Sequence, residues 1–204
     1  MDGSITDWNK FERLTPYRVR EVLLVASQFD RYILEESGYL AEILQEEYSI
    51  LNLSQAPRII HSPDSDDAID LLNSRRFDLI ITMSKAGKLD ANTFANMVKK
   101  IHENIPVVLL SQNTRELATL KTGEGIDRIF VWGGDSRILL SICKLIEDEK
   151  NVENDVRDGD VQVILLVEDS RRFYSAYLPL LYTQLVRQTS RLIGDEGNLH
   201  EKVL

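Results

Sequence analysis

FDLIITMSKAGKLDA, residues 77–91, is the stretch that decides the fold, because it holds a short apolar run that breaks off at polar and glycine residues. The run Asp78–Met83 is too short for a helix and carries two isoleucines, which predicts a strand buried on both faces. Four further runs predict strands: residues 21–26 (EVLLVA), 57–60 (PRII), 106–111 (PVVLLS) and 126–132 (IDRIFVW).

Amphipathic segments separate these strands. We predict helices at residues 31–48, 65–72, 93–102, 115–120 and from 135 or 136 to about 149. Strands that alternate with helices predict an α/β fold, in which helices cover both faces of a parallel sheet. We expect the flavodoxin-like, doubly wound order 2-1-3-4-5. In that order the three most apolar runs are central and the weakest, 57–60, lies at an edge.

The composition limits the compartment and the partners. An apolar fraction of 43% supports a buried core, and a net charge of -9 gives no general attraction for nucleic acid or for an anionic membrane. The acidic, polar start MDGSITDWNK is not a signal peptide, and no apolar run is long enough to span a membrane. The single cysteine, Cys143, lies in the apolar run ILLSICKLI and is predicted to be a buried core residue. We therefore expect a cytoplasmic protein.

The strand-to-helix opening occurs twice. After a polar leader (1–19), a first domain (20–150) and an acidic linker (151–160), VILLVEDS at 163–170 repeats the pattern of EVLLVASQ at 21–28. Residues 161–167 predict a strand and 173–193 a long helix, which Pro179 should kink or start late. Because residues 161–204 supply no later strands, we expect an extra strand-helix unit from a longer protein.

These openings and strand ends resemble the response-regulator receiver family of two-component signal transduction and phosphorelay. That resemblance implies an acidic pair after the first strand, a phosphoacceptor aspartate after the third, a hydroxyl after the fourth and a lysine after the fifth. In such a site carboxylates hold Mg²⁺ and the aspartate attacks phosphorus.

The first domain departs from this pattern at almost every position. Ala26 and Ser27 replace the acidic pair, Met83 the acceptor and Trp132 the lysine, while Ser111 keeps the hydroxyl. The resemblance therefore implies a pseudo-receiver that is not phosphorylatable and has no catalytic residue. Two interpretations of the vacated pocket remain. It is filled by simple packing, which we favour, or it mimics one fixed state or takes an apolar partner group. The nearest carboxylate, Asp30, is expected to cap the first helix or lie in its first turn.

The second opening keeps Glu168 and Asp169 at the acidic-pair position. The resemblance implies Mg²⁺ ligands there, in an intact second receiver only; the alternative is two solvated acidic residues at a strand end. No other cofactor is expected. The segments QAPRI (55–59) and FYSAYLPLLY (173–182) also resemble the N-terminal region of larger bacterial signalling proteins with a pyruvate- or phosphoenolpyruvate-binding domain.

Two classes of function follow. The first is a signalling module that is not an enzyme and acts by protein–protein interaction with partners or neighbouring domains. The alternative is a flavodoxin-like domain that binds a small ligand or nucleotide in a larger enzyme, although no GxGxxG or P-loop is present. We expect a homodimer through the C-terminal strand and helix; the alternative is a monomer whose tail folds back. His61, His102 and His200 are predicted to be surface or loop residues.

Overall fold

The computed structural model describes residues 14–35, 40–50, 55–112, 122–123, 125–159 and 161–201. A five-stranded, all-parallel sheet has the order β2-β1-β3-β6-β7, which is 2-1-3-4-5 when its own strands are counted along the chain, as predicted. The short antiparallel pair β4–β5 lies outside it. The strands are β1 Glu21–Val25, β2 Arg58–Ser62, β3 Leu79–Thr82, β4 Lys85–Ala86, β5 Leu89–Asp90, β6 Val107–Ser111 and β7 Arg128–Val131.

Helices cover both faces of the sheet. In chain order they are α1 Gln28–Leu34, α2 Leu40–Ile50, α3 Ser65–Ser74, α4 Ala91–Ile101, α5 Arg137–Gly159 and α6 Arg171–Glu201. Successive residues of a strand point to opposite faces, so Val22 and Leu24 enter one apolar cluster while Leu23 and Val25 enter the other. This explains why the central strands are apolar at every position.

Several local predictions need correction. The segment expected to be one helix at 31–48 is described as two helices, α1 and α2, and the predicted helix 115–120 lies outside the described residues. The N-cap of α3 is Asp64, whose side chain accepts hydrogen bonds from two backbone N–H groups; the cap was predicted at Ser65–Asp67. The β4–β5 hairpin was not predicted, although Gly87 at its turn has a φ of +70° that favours glycine.

The predicted acidic linker, 151–160, is wrong, because α5 continues to Gly159. Three polar side chains, spaced four residues apart on α5, bind alternate backbone groups of the segment that precedes β1. The N–H groups of Thr15, Tyr17 and Val19 donate to Asp155 Oδ1 (2.9 Å), Asn151 Oδ1 (2.8 Å) and Glu147 Oε1 (2.9 Å), and Asn151 Nδ2 donates back to the Tyr17 carbonyl (2.8 Å).

The spacing explains this ladder. Two residues of extended chain rise about 6.6 Å and four residues of helix rise about 6 Å, so the contacts of Tyr17 and Val19 stay in step with the helix. Thr15, with a φ of +52°, is not extended and reaches Asp155 by a turn of the backbone. Asn151 and Glu147 are buried. The ladder therefore makes residues 151–159 part of the first domain.

The C-terminal helix α6 packs on the same domain. The hydroxyl of Ser175 accepts a hydrogen bond from the Val131 N–H (2.9 Å), the Tyr174 ring lies 6.1 Å from that of Phe130, and Leu178 is buried in the core. The tail thus folds back onto the first domain, and the predicted homodimer stays a prediction. Pro179 lies inside the helix, which begins at Arg171 and not late.

Residues 161–167 do not form the predicted strand. They pair with no strand in the described part of the chain, and α6 covers the edge strand β7. An apolar run becomes a strand only where a neighbouring strand accepts its backbone hydrogen bonds.

Two further observations concern Cys143 and the lengths of the helices. Cys143 is buried in the core, as predicted, and burial raises the pKa of its thiol to about 12. No helix in the described ranges combines the length and hydropathy that crossing a membrane requires.

We predict that Asn151→Ala lowers the free energy of unfolding by about 2 kcal/mol, since it leaves the N–H and carbonyl of Tyr17 without partners. Urea denaturation monitored by circular dichroism measures this. Glu153→Ala, at an exposed position of the same helix, is the control and should change stability by less than about 0.5 kcal/mol. Equal effects of the two substitutions would show that the ladder does not stabilise the fold.

Candidate functional site

The carboxyl ends of four strands meet at one edge of the sheet. Ala26, Met83 and Trp132 directly follow β1, β3 and β7, and Ser111 is the last residue of β6. The backbone joins them in pairs. The Met83 N–H donates to the Val25 carbonyl at 3.0 Å, and the Trp132 N–H donates to the Ser111 carbonyl at 2.8 Å. In open α/β sheets this edge is where ligands bind, so it is the candidate functional site.

Apolar side chains fill this edge. Met83 is 3% exposed and Ala26 is fully buried, and both belong to the apolar cluster that also receives the partly buried Trp132. Ser111 is buried as well. The apolar core therefore extends to the end of the sheet, at the positions where the receiver resemblance implies a charged phosphorylation site.

Ser27 and Asp30 build the start of α1. The Ser27 hydroxyl accepts a hydrogen bond from the Asp30 N–H (3.1 Å) and donates one to Asp30 Oδ2 (2.7 Å). Ser27 is therefore the N-cap, and Asp30 lies in the first turn, as predicted. A carboxylate there also interacts favourably with the helix dipole. This nearest carboxylate is already engaged in helix capping.

The residues at this edge do not fit a magnesium ion. Mg²⁺ requires carboxylate or other oxygen ligands, and Ala26 and Met83 supply none. The described residues contain no group of three or more His, Cys, Asp or Glu side chains that could hold a metal ion.

His61 is a neighbour of the site that the sequence analysis missed. Its Nε2 lies 2.7 Å from the carbonyl oxygen of Ala26, a hydrogen bond in which the ring N–H donates. The residue is half-buried in β2, so its assignment to a loop is wrong. The error arose because the strand was expected to end at residue 60. His102 caps α4 and is half-buried, while His200 has no described side chain.

The β4–β5 hairpin, which follows Met83, closes over the neighbouring loop. A Cβ atom on Gly87 would lie 2.5 Å from the Cβ of Asp64, the N-cap of α3. The turn therefore contacts the loop after β2 so closely that only glycine fits. With its positive φ, Gly87 therefore sets how closely the β4–β5 turn packs against the loop after β2.

Two buried polar atoms near this edge have no hydrogen-bond partner among the described residues. Gln112 Nε2 belongs to the residue after Ser111, and Asn92 Oδ1 lies in the first turn of α4. One is a donor and the other an acceptor. A small polar group could satisfy them, because buried polar atoms are normally paired.

Glu168 and Asp169 immediately precede α6. Glu168 Oε1 accepts a hydrogen bond from the Ser170 N–H at 2.8 Å, and Asp169 is exposed. The structure thus gives Glu168 a helix-capping contact. Their predicted metal-binding role concerns an intact second receiver and stays a prediction.

A cavity of about 380 Å³ lies at the opposite, amino-terminal edge of the sheet. Tyr17, Asp78, His102 and Pro106 line it, together with their neighbours. It contains none of the predicted site residues. The Tyr17 hydroxyl donates to the Asp78 carbonyl at 2.7 Å, which ties the leader to the start of β3.

Solved structures of receiver domains resemble this fold. The signal receiver domain of an HD domain-containing protein from Pseudomonas fluorescens Pf-5 is 23% identical, over 68% of this chain and 94% of its own, with a TM-score of 0.50. A CheY-like response regulator receiver domain from Methanospirillum hungatei JF-1 is 13% identical, over 66% of this chain and 98% of its own, with a TM-score of 0.51. No protein-family model and no curated protein matches the sequence.

At these identities the likeness establishes the fold alone. The predicted flavodoxin-like, CheY-like architecture is confirmed. The roles of individual residues do not follow from it and must be argued from their chemistry.

We predict that Met83→Asp lowers the free energy of unfolding by about 3 kcal/mol, because the new carboxylate would be buried beside apolar groups without a cation. Met83→Leu, which conserves volume, is the control and should cost less than about 1.5 kcal/mol. Urea denaturation at pH 7 measures both. An aspartate variant as stable as wild type would mean that a solvated or cationic environment lies at residue 83.

Proposed function

We propose that this chain is a receiver-type signalling module that acts through protein–protein contacts and that its first domain does not accept a phosphoryl group. The observation that carries the proposal is Met83, buried at the end of the central strand β3. This is the position at which the receiver resemblance requires the phosphoacceptor carboxylate.

The chemistry of phosphoryl transfer supports the first part. An aspartyl phosphate forms when a carboxylate oxygen attacks phosphorus, while a metal ion and a cation neutralise the developing charge. Met83 offers a thioether in place of the carboxylate, and Trp132 stands where the cation would be. Ser111 alone cannot replace these groups.

The packing supports the same conclusion. A phosphoryl group carries nearly two negative charges. Burying it against Met83, Ala26 and Trp132 would therefore cost far more free energy than burying a neutral group there. These side chains therefore support the interpretation that simple packing fills the vacated pocket. The first domain then has one state at this edge, whatever phosphodonor is present.

The two long helices support a role in protein contact. The 31-residue α6 packs against the edge strand β7 and against the 23-residue α5, so a shift of α6 would change the surface that both helices present to a partner. A module of this kind passes on a signal by positioning these helices for a partner.

The repeat of the strand-to-helix opening supports a further part of the proposal. The sequence of residues 163–170 repeats the opening of a receiver-type unit, and in that repeat Glu168 and Asp169 take the acidic-pair position. Mg²⁺ binding there requires the acceptor strand of that unit.

We predict that the chain gains no phosphoryl group when it is incubated with acetyl phosphate and Mg²⁺. Intact-mass spectrometry checks this, with a receiver domain that retains its acceptor aspartate as the positive control. Met83→Asp should stay unmodified too, since the acidic pair and the lysine are still missing. A stable one-phosphoryl mass increment mapped to the peptide around residue 83 would overturn the proposal.

One observation favours a second candidate function, the binding of a small polar ligand at the same edge: the unpartnered Gln112 Nε2 and Asn92 Oδ1. On this alternative, a thermal-shift screen with nucleotides and inorganic phosphate should give a stabilising ligand, and Gln112→Ala should abolish the shift. If no compound raises the melting temperature, the alternative fails and the interaction module stands.

A further inference from the structure

A continuous stretch near the C-terminus exposes large apolar side chains. It consists of the extended residues 161–167 and one stripe of α6, and we call it the C-terminal patch. Its members and their exposed fractions are Val161 43%, Val163 62%, Ile164 61%, Leu165 82%, Val167 81%, Phe173 51%, Tyr177 47% and Leu180 51%.

The stripe of α6 in this patch is separate from the face that docks on the domain. Tyr174 and Leu178 point inward to Phe130 and the core, whereas Phe173 and Tyr177 point outward. The rings of Phe173 and Tyr177 stack 6.1 Å apart at an angle of 13°. The outer stripe is therefore ordered before any partner binds, which lowers the entropy cost of association.

Beyond Val161, whose N–H donates to the Asp155 carbonyl at 3.4 Å, residues 162–167 offer backbone groups as well as apolar side chains. Residues 161–167 form no strand pair in the described ranges, and none of the seven is charged. An unpaired apolar strand with exposed backbone groups is a template for pairing with another chain. The patch thus offers both hydrogen bonds and apolar area to the same partner.

The area of the patch matches that of a stable protein interface. With roughly 130 Å² for each fully exposed aliphatic side chain and about 200 Å² for each aromatic one, the exposed part is on the order of 700 Å². Monomeric proteins rarely expose one apolar patch above about 300–600 Å². Two such patches face to face would bury about 1,400 Å², within the usual range for specific complexes.

A second copy of this chain can occupy the patch, because none of its eight members is charged. The net charge of -9 opposes contact between two copies over most of the surface. The patch is where two copies meet without like charges at the centre. A two-fold axis also pairs a strand with its own copy in antiparallel fashion, which needs only one kind of surface.

We propose that the C-terminal patches of two copies bind each other, with residues 161–167 paired as antiparallel strands about a two-fold axis and the outer stripes of α6 packed beside them. This inference rests on the proposed function, since it names the first partner of the interaction module. It does not depend on the chemistry at Met83, so the phosphorylation assay and the association assay fail independently.

Substitutions at Ile164, the middle of the extended segment, test this pairing. Size exclusion coupled to light scattering should give twice the chain mass of 23.4 kDa for wild type at tens of micromolar. Ile164→Lys and Ile164→Glu each place like charges near the axis and should run as monomers. An equimolar mixture of the two variants should recover the dimer, because opposite charges then face each other.

A matched control lies on another face. Met97→Lys introduces the same charge at a partly exposed apolar position of α4 and should leave the dimer intact. Because Ile164 is largely exposed, the variants should keep the circular dichroism and unfolding curve of wild type. Wild type at monomer mass, a dimer that survives Ile164→Lys, or an open-ended series of larger species would overturn the proposal.

Discussion

The burial of both faces of one parallel sheet is the constraint on which the rest of the structure depends. Helices cover each side, so a central strand such as β1 must be apolar at every position, with alternate residues feeding two separate clusters. Polar chemistry is then confined to the ends of the strands. At the end of β3, Met83 extends the core to the edge, and the usual place for chemistry in this architecture becomes part of the packing.

The same constraint explains why the first domain extends beyond residue 150, its predicted end. Both faces are covered, so further chain can be added only along helices or at an edge strand. The leader is held along α5 by side chains at every fourth residue, and α6 covers the edge of β7, where Ser175 accepts the Val131 N–H. A hydroxyl from a helix thereby satisfies a backbone group that another strand would otherwise bind.

The sequence was sufficient for the five strands, their order and the buried core, because apolar runs and their spacing depend on local residues alone. It failed where the outcome depends on distant partners. The acidic composition of 151–160 suggested a linker, and only the contact of Asn151 with Tyr17 shows why it is helical. Residues 161–167 have the composition of a strand but lack a neighbour. At the site, the sequence alone showed that the acidic-pair and acceptor positions lack carboxylates. It did not show that His61 lies beside the Ala26 carbonyl, because that depends on β2 continuing to Ser62.

On the proposed function the first domain takes no phosphoryl group, so a protein partner must shift its conformation, because a conformational equilibrium moves only when something binds its states with different affinity. For this chain the available binding energy lies at the surface. The helix α6 presents Tyr174 and Leu178 to the first domain and Phe173 and Tyr177 to the outside, so one rigid element takes part in both contacts. Ordering α6 by docking stabilises the outer stripe for a partner, and a partner on that stripe favours the docked helix by the same free energy, because coupling between two binding events is reciprocal. On the proposed function, a single helix therefore couples the binding of a partner to the fold of the first domain.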